Sequence, residues 1–268
     1  LGIFSLLLIE GWPAIREIGI SQFFFSTEWN PTSPEKETFG ILSMVVSTLM
    51  VTAGAMILAV PVGIGAAAYL ADIAGDRTRE IVKPVIELLA GIPSVVIGFI
   101  GIITVGPFLA KMLNASNGLN GLNGSILLAI MSLPTIISIS EDAISSVPGE
   151  FKQASYALGA NKWQTLVKVT VPAAMSGIVA SIMLGMGRAI GETMTVLMAC
   201  GNAPAFPESI RSSVRPITST IAIEMGETVQ GGIHYSSLFV VAFVLFIMTF
   251  IVNLTADIVL NKYQKVNR

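Results

Sequence analysis

Five long apolar runs constrain this chain more than any other feature of its sequence. At roughly 20 residues or more, each run can cross the ~30 Å hydrocarbon core of a bilayer as an α-helix. Only 12% of the residues are charged and 53% are hydrophobic, whereas soluble domains carry about 25% charged residues. We therefore predict an all-α integral membrane protein with helices that cross at 41–70, 84–110, 122–140, 171–199 and 236–260.

The chain opens on a shorter apolar stretch, LGIFSLLLIE. This stretch is too short to cross a bilayer. It has neither a basic region ahead of it nor a small-residue cleavage site, which are the marks of a signal peptide. We expect it to be the outer end of a further, truncated helix. Together with the five spans, it would belong to a single transmembrane domain of residues 1–268.

The orientation follows from the lysines and arginines between the spans, because such residues are enriched in cytoplasmic loops. One set of connections and the tail holds nine of them: Arg77, Arg79, Lys83, Lys152, Lys162, Lys168, Lys262, Lys265 and Arg268. The alternating set holds five: Arg16, Lys36, Lys111, Arg211 and Arg215. This difference predicts that the C-terminus and a loop of about 141–170 are cytoplasmic and that a segment of about 200–235 lies outside.

Several kinds of site are excluded because their residues are scarce. Cys200 is the single cysteine and His234 the single histidine, which excludes an internal disulfide, a cysteine-pair site and a multi-histidine metal site. The sequence has no G-x-x-x-x-G-K-[ST] phosphate loop. We therefore expect no cofactor and no metal, and we do not expect this chain to hydrolyse ATP itself.

The loop EDAISSVPGEFKQASYALGANKWQTLVKVTVP predicts a helix, a sharp turn and a second helix. Pro148 suits the start of the first helix. Gly159 suits the left-handed position that ends a helix, and Asn161 followed by Gln164 suits a cap that opens the next one. From the amphipathic pattern alone, the first helix could lie on lipid headgroups or cover the bundle.

The same loop resembles the EAA loop of ABC-importer permeases, which reads Glu-Ala-Ala, three residues, Gly, nine residues, Ile-x-Leu-Pro. This chain has Gln153-Ala154-Ser155, three residues, Gly159, nine residues and VTVP at 169–172. Gln153 and Ser155 depart from the pattern. The resemblance implies that this is a coupling helix that docks into a separate ATPase dimer through Gln153, Ala154, Ser155, Leu158 and Gly159.

Across nearly the whole chain the sequence is similar to the phosphate-uptake permeases of ABC importers, the PstC-type subunits. The similar stretches are EGWPAIREIG, STEWNP, AVPVGIGAAAYLADIA, GIPSVVIGFIG, SYALGANKWQT, GRAIGETMTVLMACGNAP, RPITSTIAIEMGE and HYSSLF. The resemblance implies a type I ABC-importer permease fold with six transmembrane helices in the inner membrane. It also implies a second, non-identical permease subunit and an extracytoplasmic phosphate-binding protein as partners.

The segment GRAIGET, residues 187–193, places two charges inside the fourth apolar run. An ion near the centre of a membrane helix costs about 3 kcal/mol. Arg188 and Glu192 are four residues apart, so on a continuous helix they share a face and can pair. Either they form a structural ion pair, or Arg188 binds an oxyanion beside an aqueous path and Glu192 holds the guanidinium when the anion is absent.

The resemblance favours the second alternative, since Arg188 and Glu192 fall on transport-critical positions of the family. It also implies that Arg215 contributes to an external mouth. Glu224 and Glu227 are expected to be outer-surface or lid contacts, and His234 is expected to be structural.

Three rival functions remain open from the sequence. Within the family, the chain could be the sister PstA-type permease or a sulfate or molybdate permease. An intramembrane hydrolase could use a serine with His234, although no G-x-S-x-G turn supports it. A passive channel or secondary transporter would favour two matching halves, and the sequence has no evident internal repeat.

Overall fold

Helices make up most of the chain, as the apolar runs predict. The computed structural model describes residues 2–266. Leu1 of the opening stretch, and Arg268 of the basic residues counted as cytoplasmic, lie outside the described residues. Apolar runs form helices because a helix satisfies its own backbone hydrogen bonds, which hydrocarbon cannot do.

The helices and strands of residues 2–266 follow in chain order. The α-helices are α1 (Gly2–Ile18), α2 (Ile20–Phe25), α3 (Leu42–Ala68), α4 (Asp76–Ala90), α5 (Ser94–Ile100), α6 (Gly106–Leu113), α7 (Gly121–Ser145), α8 (Gly149–Ala157), α9 (Lys162–Thr165), α10 (Val171–Ala173), α11 (Met175–Gly191), α12 (Met194–Ala199), α13 (Ile217–Glu224) and α14 (Ile233–Val266). The π-helical turns are Tyr69–Ile73, Gly101–Val105 and Leu166–Thr170. Strands β1 (Trp29–Asn30) and β2 (Thr38–Phe39) pair as an antiparallel hairpin.

Four helical segments of the described residues are long and apolar enough to cross a membrane: Leu42–Ile73, Ser94–Leu113, Gly121–Ser145 and Ile233–Ile258. A fifth is counted if Lys162–Ala173 and Met175–Gly191, which bend by 70° at their junction, form one span. Three of the predicted runs therefore have a counterpart of similar extent, the run at 84–110 has a counterpart that begins later, and the run at 171–199 corresponds to the bent pair.

The predicted span at 84–110 begins too early. Residues 76–90 form a separate helix, α4, which ends before Gly91, and Pro93 caps α5. A residue that precedes proline is disfavoured in the helical conformation, so the chain breaks at Ile92. The predicted run took in only the apolar second half of α4, which contains a single charged residue, Glu87, and most of the charges of this amphipathic helix lie ahead of the run.

The predicted continuous span at 171–199 is also wrong. The helix is interrupted at Ala174 and again at Glu192 and Thr193. At the second break the Glu192 carbonyl accepts a hydrogen bond from Thr218 Oγ1 at 2.9 Å. A contact with a residue distant in sequence therefore takes the place of helix continuation.

Helix α1 is longer than the opening apolar stretch and packs on α14. The ring of Phe4 lies edge-on to that of Phe243, with centroids 5.4 Å apart. A Cβ atom on Gly11 would lie 2.9 Å from Val240 Cγ2, so the two helices approach closely there.

The chain divides into two compact units, neither of which is continuous in sequence. Unit 1 comprises Leu1–Ala55, Pro93–Leu128 and Ile190–Phe250, and unit 2 comprises Met56–Ile92, Ala129–Ala189 and Ile251–Arg268. The core of unit 1 brings together Phe23, Trp29, Phe39, Met44, Ile217 and Leu238. That of unit 2 brings together Ala67, Leu70, Ile86, Ile144, Val147, Leu166 and Ile178. The single domain at 1–268 stays a prediction.

In unit 2 the buried carboxylate of Glu141 holds α4 against α7. It forms ion pairs with Arg79 and with Lys83, whose Nζ lies 2.7 Å from Glu141 Oε2. A buried carboxylate needs such partners because its desolvation is costly. The hydrogen bond to Glu141 raises the pKa of Lys83 above 10.5. Because the pKa of Lys83 is higher in the folded protein than in the unfolded chain, the ion pair stabilises the fold fully at a pH below the ordinary lysine pKa. This stabilisation is lost only when the pH rises through the raised pKa. The cluster is therefore intact at neutral pH.

Candidate functional site

The loop between α7 and α11, in unit 2, has the local structure that its sequence predicts. Pro148 immediately precedes α8, and Gly159 has a φ of +84°, which favours glycine. The Asn161 side chain accepts from the Gln164 backbone N–H at 2.8 Å, and the Gln164 side chain accepts from the Asn161 N–H at 2.9 Å. This reciprocal cap starts α9. The predicted helix, turn and helix are confirmed.

Four of the five predicted coupling residues are exposed: Gln153, Ala154, Leu158 and Gly159. Leu158 exposes 90% of its surface. Ser155 does not belong with them, because it is buried and its Oγ lies 2.9 Å from Thr165 Oγ1. Ser155 is thus not part of the exposed surface of α8, and its contact with a partner stays a prediction. The Ser155 hydroxyl joins α8 to α9 through this hydrogen bond. The alanine that the EAA pattern has at this position could not form it.

The same loop exposes three aromatic side chains that the sequence argument did not select. Phe151 exposes 54% of its surface, Tyr156 45% and Trp163 64%. Large aromatic residues are enriched at the centres of protein interfaces. The sequence does contain a signal for them, because large aromatic residues are unusual in an otherwise polar loop. The resemblance to the EAA loop pointed to the small residues instead.

In unit 1, helix α13 gathers two of the three residues predicted to line a pathway. Arg215 lies just before α13. Thr218, in its first turn, donates to the Glu192 carbonyl. The Glu192 side chain, half-buried, accepts from the Thr195 backbone N–H at 3.4 Å. Glu192 follows the end of α11, so the premise that it shares a helical face with Arg188 is wrong.

Glu224, at the end of α13, is the centre of a buried polar cluster. Its Oε1 lies 2.7 Å from an Arg215 guanidinium nitrogen, and its Oε2 lies 2.8 Å from His234 Nε2. The indole N–H of Trp29 donates to Oε2 at 2.9 Å. The Arg215 Nε–H also donates to the Asn202 carbonyl at 3.1 Å. Glu224 is therefore not an exposed contact of the outer surface, and its role as a lid contact stays a prediction.

These partners come from separate parts of the sequence, which is why sequence patterns did not reveal them. Trp29 and Glu224 are 195 positions apart. Three members of the cluster, Trp29, Arg215 and Glu224, line a cavity of about 690 Å³ whose other walls are the β1–β2 hairpin and residues 204–206. Arg215 therefore reaches this cavity with its charge already balanced by a buried carboxylate.

Arg188 lies in the last turn of α11, in unit 2, and its side chain is exposed. Among residues 2–258, whose side chains the structure describes, no hydrogen bond or ion pair joins it to another side chain. Its guanidinium is planar and always charged, and its five N–H donors can bind a tetrahedral oxyanion. The geometry thus leaves this guanidinium available to a ligand.

Cys200 is fully buried, and this burial raises the pKa of its thiol to about 12. Thiolate, the reactive form, is therefore scarce at neutral pH. No group of three or more His, Cys, Asp or Glu side chains among the described residues is arranged to hold a metal ion.

Comparison with known proteins gives matches over most of the chain. Residues 59–265 match the family described as "Binding-protein-dependent transport system inner membrane component". "Probable ABC transporter permease protein YqgH" of Bacillus subtilis is 39% identical, over 91% of this chain and 79% of the relative. "Phosphate transport system permease protein PstC" of Mesorhizobium japonicum is 35% identical, over 94% of this chain and 81% of the relative.

Solved structures of transporters share the fold at low sequence identity. One is the MetNI methionine ABC transporter in an inward-facing conformation, with a TM-score of 0.65, 18% identity and coverage of 83% of this chain and 95% of that chain. Another is a bacterial alginate ABC transporter in complex with a pentasaccharide-bound periplasmic protein. Its TM-score is 0.65 at 13% identity, with coverage of 94% of this chain and 86% of that chain.

Proposed function

We propose that this chain, which belongs to the family of binding-protein-dependent transport system inner membrane components, is the transmembrane permease subunit of an ATP-driven importer of inorganic phosphate. Its all-α fold is that of a type I ABC-importer permease, as the sequence predicts. As a permease subunit it is not itself catalytic.

One observation carries the choice of phosphate. Relatives named as phosphate permeases are similar to nearly the whole chain, and the Mesorhizobium japonicum protein is 35% identical over 94% of it. Similarity of that extent covers the spans, the outer segment and the cytoplasmic loop together. The availability of the Arg188 guanidinium is consistent with an oxyanion substrate, because arginine binds tetrahedral oxyanions through paired N–H donors.

We assign Arg188 the role of a transient phosphate-binding residue in the pathway. An arginine in a membrane helix usually faces water or a partner, and this one has no partner within the described residues. The Glu192 side chain accepts from Thr195 at the helix break. The role of Glu192 in the pathway would then be to stabilise the turn at this helix break. Its side chain does so through Thr195, and its backbone carbonyl through the hydrogen bond from Thr218.

Energy for transport would come from a separate dimer of ATP-binding cassette ATPases, because this sequence has no phosphate loop. The exposed surface of α8 and its following turn, with Gln153, Ala154, Leu158 and Gly159, supports docking there. The loop of α8 and the C-terminus would then be cytoplasmic. A second permease subunit would complete the pathway.

The 690 Å³ cavity beside Arg215 would face the extracytoplasmic side of the membrane, where an extracytoplasmic phosphate-binding protein delivers its ligand. Glu224 neutralises Arg215 through their ion pair. A partly neutralised arginine attracts phosphate less strongly than a free one, which suits passage better than retention.

The direct test is ATP-dependent uptake by the reconstituted complex. The chain would be produced with the ATPase, the second permease and the binding protein encoded beside it, and placed in liposomes. We expect labelled phosphate to accumulate only with ATP and binding protein, and unlabelled sulfate or molybdate not to compete. Uptake without ATP, or competition by sulfate instead of phosphate, contradicts the proposal.

Leu158 offers a test of the docking surface. Replacing it with glutamate places a charge in the proposed contact, and we expect retention of the ATPase during purification to fall by at least roughly tenfold. The fold should tolerate the change, because the side chain is already 90% exposed. The measurement is the molar ratio of ATPase to permease after affinity purification.

The matched control is Val229→Glu, which changes another apolar side chain, 82% exposed, outside the cytoplasmic loop. It should leave ATPase retention unchanged. Equal loss in both variants would show that the effect comes from added charge and would contradict docking at α8.

A further inference from the structure

Lys152, on the proposed coupling helix α8, points to an acidic residue of the same unit and not to solvent. Its ammonium group forms an ion pair with Asp72. The two side chains expose only 22% and 16% of their surfaces, so solvent screens the pair incompletely. Asp72 lies on the π-helical turn Tyr69–Ile73, which continues α3. An ion pair therefore joins α8 to the end of a membrane-spanning segment.

A second contact fastens α8 on its other side. The Ser155 hydroxyl lies 2.9 Å from that of Thr165, which is the last residue of α9. The π-helical turn Leu166–Thr170 follows directly and leads through α10 to α11. Helix α8 is thus held to the π-helical turn at the end of α3 and to Thr165, the residue directly before the π-helical turn that leads to α11.

The two π-helical turns also share a packed core. Leu70 from the first and Leu166 from the second are both buried, with 4% and 1% of their surfaces exposed, in the cluster that contains Ile144 and Val147. Packed interiors are nearly incompressible and pass a displacement on instead of absorbing it. A shift of α8 therefore moves the end of α3 if the polar contacts hold.

Stability alone is a weak reason for this ion pair. A partly buried pair often contributes little to the free energy of folding, because desolvation offsets the attraction. π-Helical turns are rare and often lie at functional sites. Both features are better explained by a requirement for a fixed geometry between α8 and α3.

We propose that the Lys152–Asp72 ion pair is the contact that passes movement of α8 to α3, so that both residues are positioning residues of the transport cycle. This inference rests on the proposed function, in which α8 docks on an ATPase. Neither residue touches substrate or nucleotide. Their loss should uncouple ATP hydrolysis from movement of the permease.

The experiment uses the full complex in liposomes and a reporter on α3. Gly65→Cys introduces the reporter, since Gly65 is exposed and a Cβ atom there meets no neighbour within 4 Å. The buried Cys200 gives little background. The maleimide labelling rate is measured with and without ATP and vanadate, and ATP hydrolysis and phosphate uptake are measured in parallel. The variants are Lys152→Met, Asp72→Asn and the exchanged pair Lys152→Asp with Asp72→Lys.

We expect ATP and vanadate to change the labelling rate when the natural pair is present, and this change to disappear in each single variant. Phosphate moved per ATP hydrolysed should fall by about tenfold, within the range of coupling between residues in contact. The exchanged pair should restore both readouts, which a role limited to local packing would not produce.

Several results would overturn the inference. They are a nucleotide-independent labelling rate with the natural pair, single variants that respond normally, failure of the exchanged pair to restore coupling, and loss of the ATPase from the single variants. Failure of the proposed function is separate. If the natural complex changes its labelling with ATP but moves no phosphate, the substrate assignment fails and the coupling contact stands.

Discussion

Replacing Arg188 with glutamine should abolish phosphate uptake while the complex with the ATPase still assembles. Glutamine keeps much of the length and some donors but loses the charge that attracts an oxyanion. Removing one well-placed donor from a site of developing or passing negative charge costs about 100-fold or more in rate. The measurement is ATP-dependent uptake of labelled phosphate at equal amounts of purified complex.

Two further variants make this result specific. Arg211→Gln removes another exposed arginine, from the segment predicted to lie outside, and should leave uptake close to normal. Arg188→Lys keeps the charge without the planar fork of donors and should retain an intermediate rate. Normal uptake by Arg188→Gln would reject a role for this residue in the pathway, whatever the other variants do.

Replacing Glu224 with alanine should lower the stability of the protein more than replacing an exposed residue such as Leu158 or Arg211. The change leaves the Arg215 guanidinium and the Trp29 indole N–H without their carboxylate, in a site where Glu224 exposes only 9% of its surface. Breaking a buried pair by removing one partner costs about 3 to 5 kcal/mol. The apparent melting temperature of the purified complex should fall accordingly.

The matched control is Glu227→Ala, three residues further along and exposed. It should change the melting temperature little, because surface substitutions typically shift stability by less than about 0.5 kcal/mol. Glu224→Gln should fall between the two, since an amide oxygen can still accept from Trp29. Equal stability of Glu224→Ala and Glu227→Ala would mean that the cluster does not hold α13 in place.

Much of the fold was predictable because it depends on short-range properties of the chain. Helical spans follow from runs of apolar residues, whatever surrounds them. The turn at Gly159 and the cap at Asn161 and Gln164 depend on residues within one or two helical turns of each other. The turn and the cap are confirmed because the interactions that decide them are local, and the apolar runs are helical even where the bounds or the continuity of a span were wrong.

The candidate site was only partly predictable, and its errors have one origin. The sequence placed Arg188 and Glu192 on one helix, yet the helix ends at Gly191, and Glu192 contacts Thr218 on α13. The motif marked Ser155 as a docking residue, yet its hydroxyl turns inward to Thr165. In each case a contact that periodicity does not encode decides where the side chain lies.

The sequence by itself determined that this chain crosses a membrane, that the loop at 141–172 forms a helix, a turn and a second helix, and which family it resembles. Apolar length, local capping and motif order are properties of neighbouring residues. Only the tertiary structure decided that Glu224 is the centre of a buried cluster and that Lys152 pairs with Asp72. Those pairs join residues 195 and 80 positions apart, and such pairs form only when packing brings distant segments together.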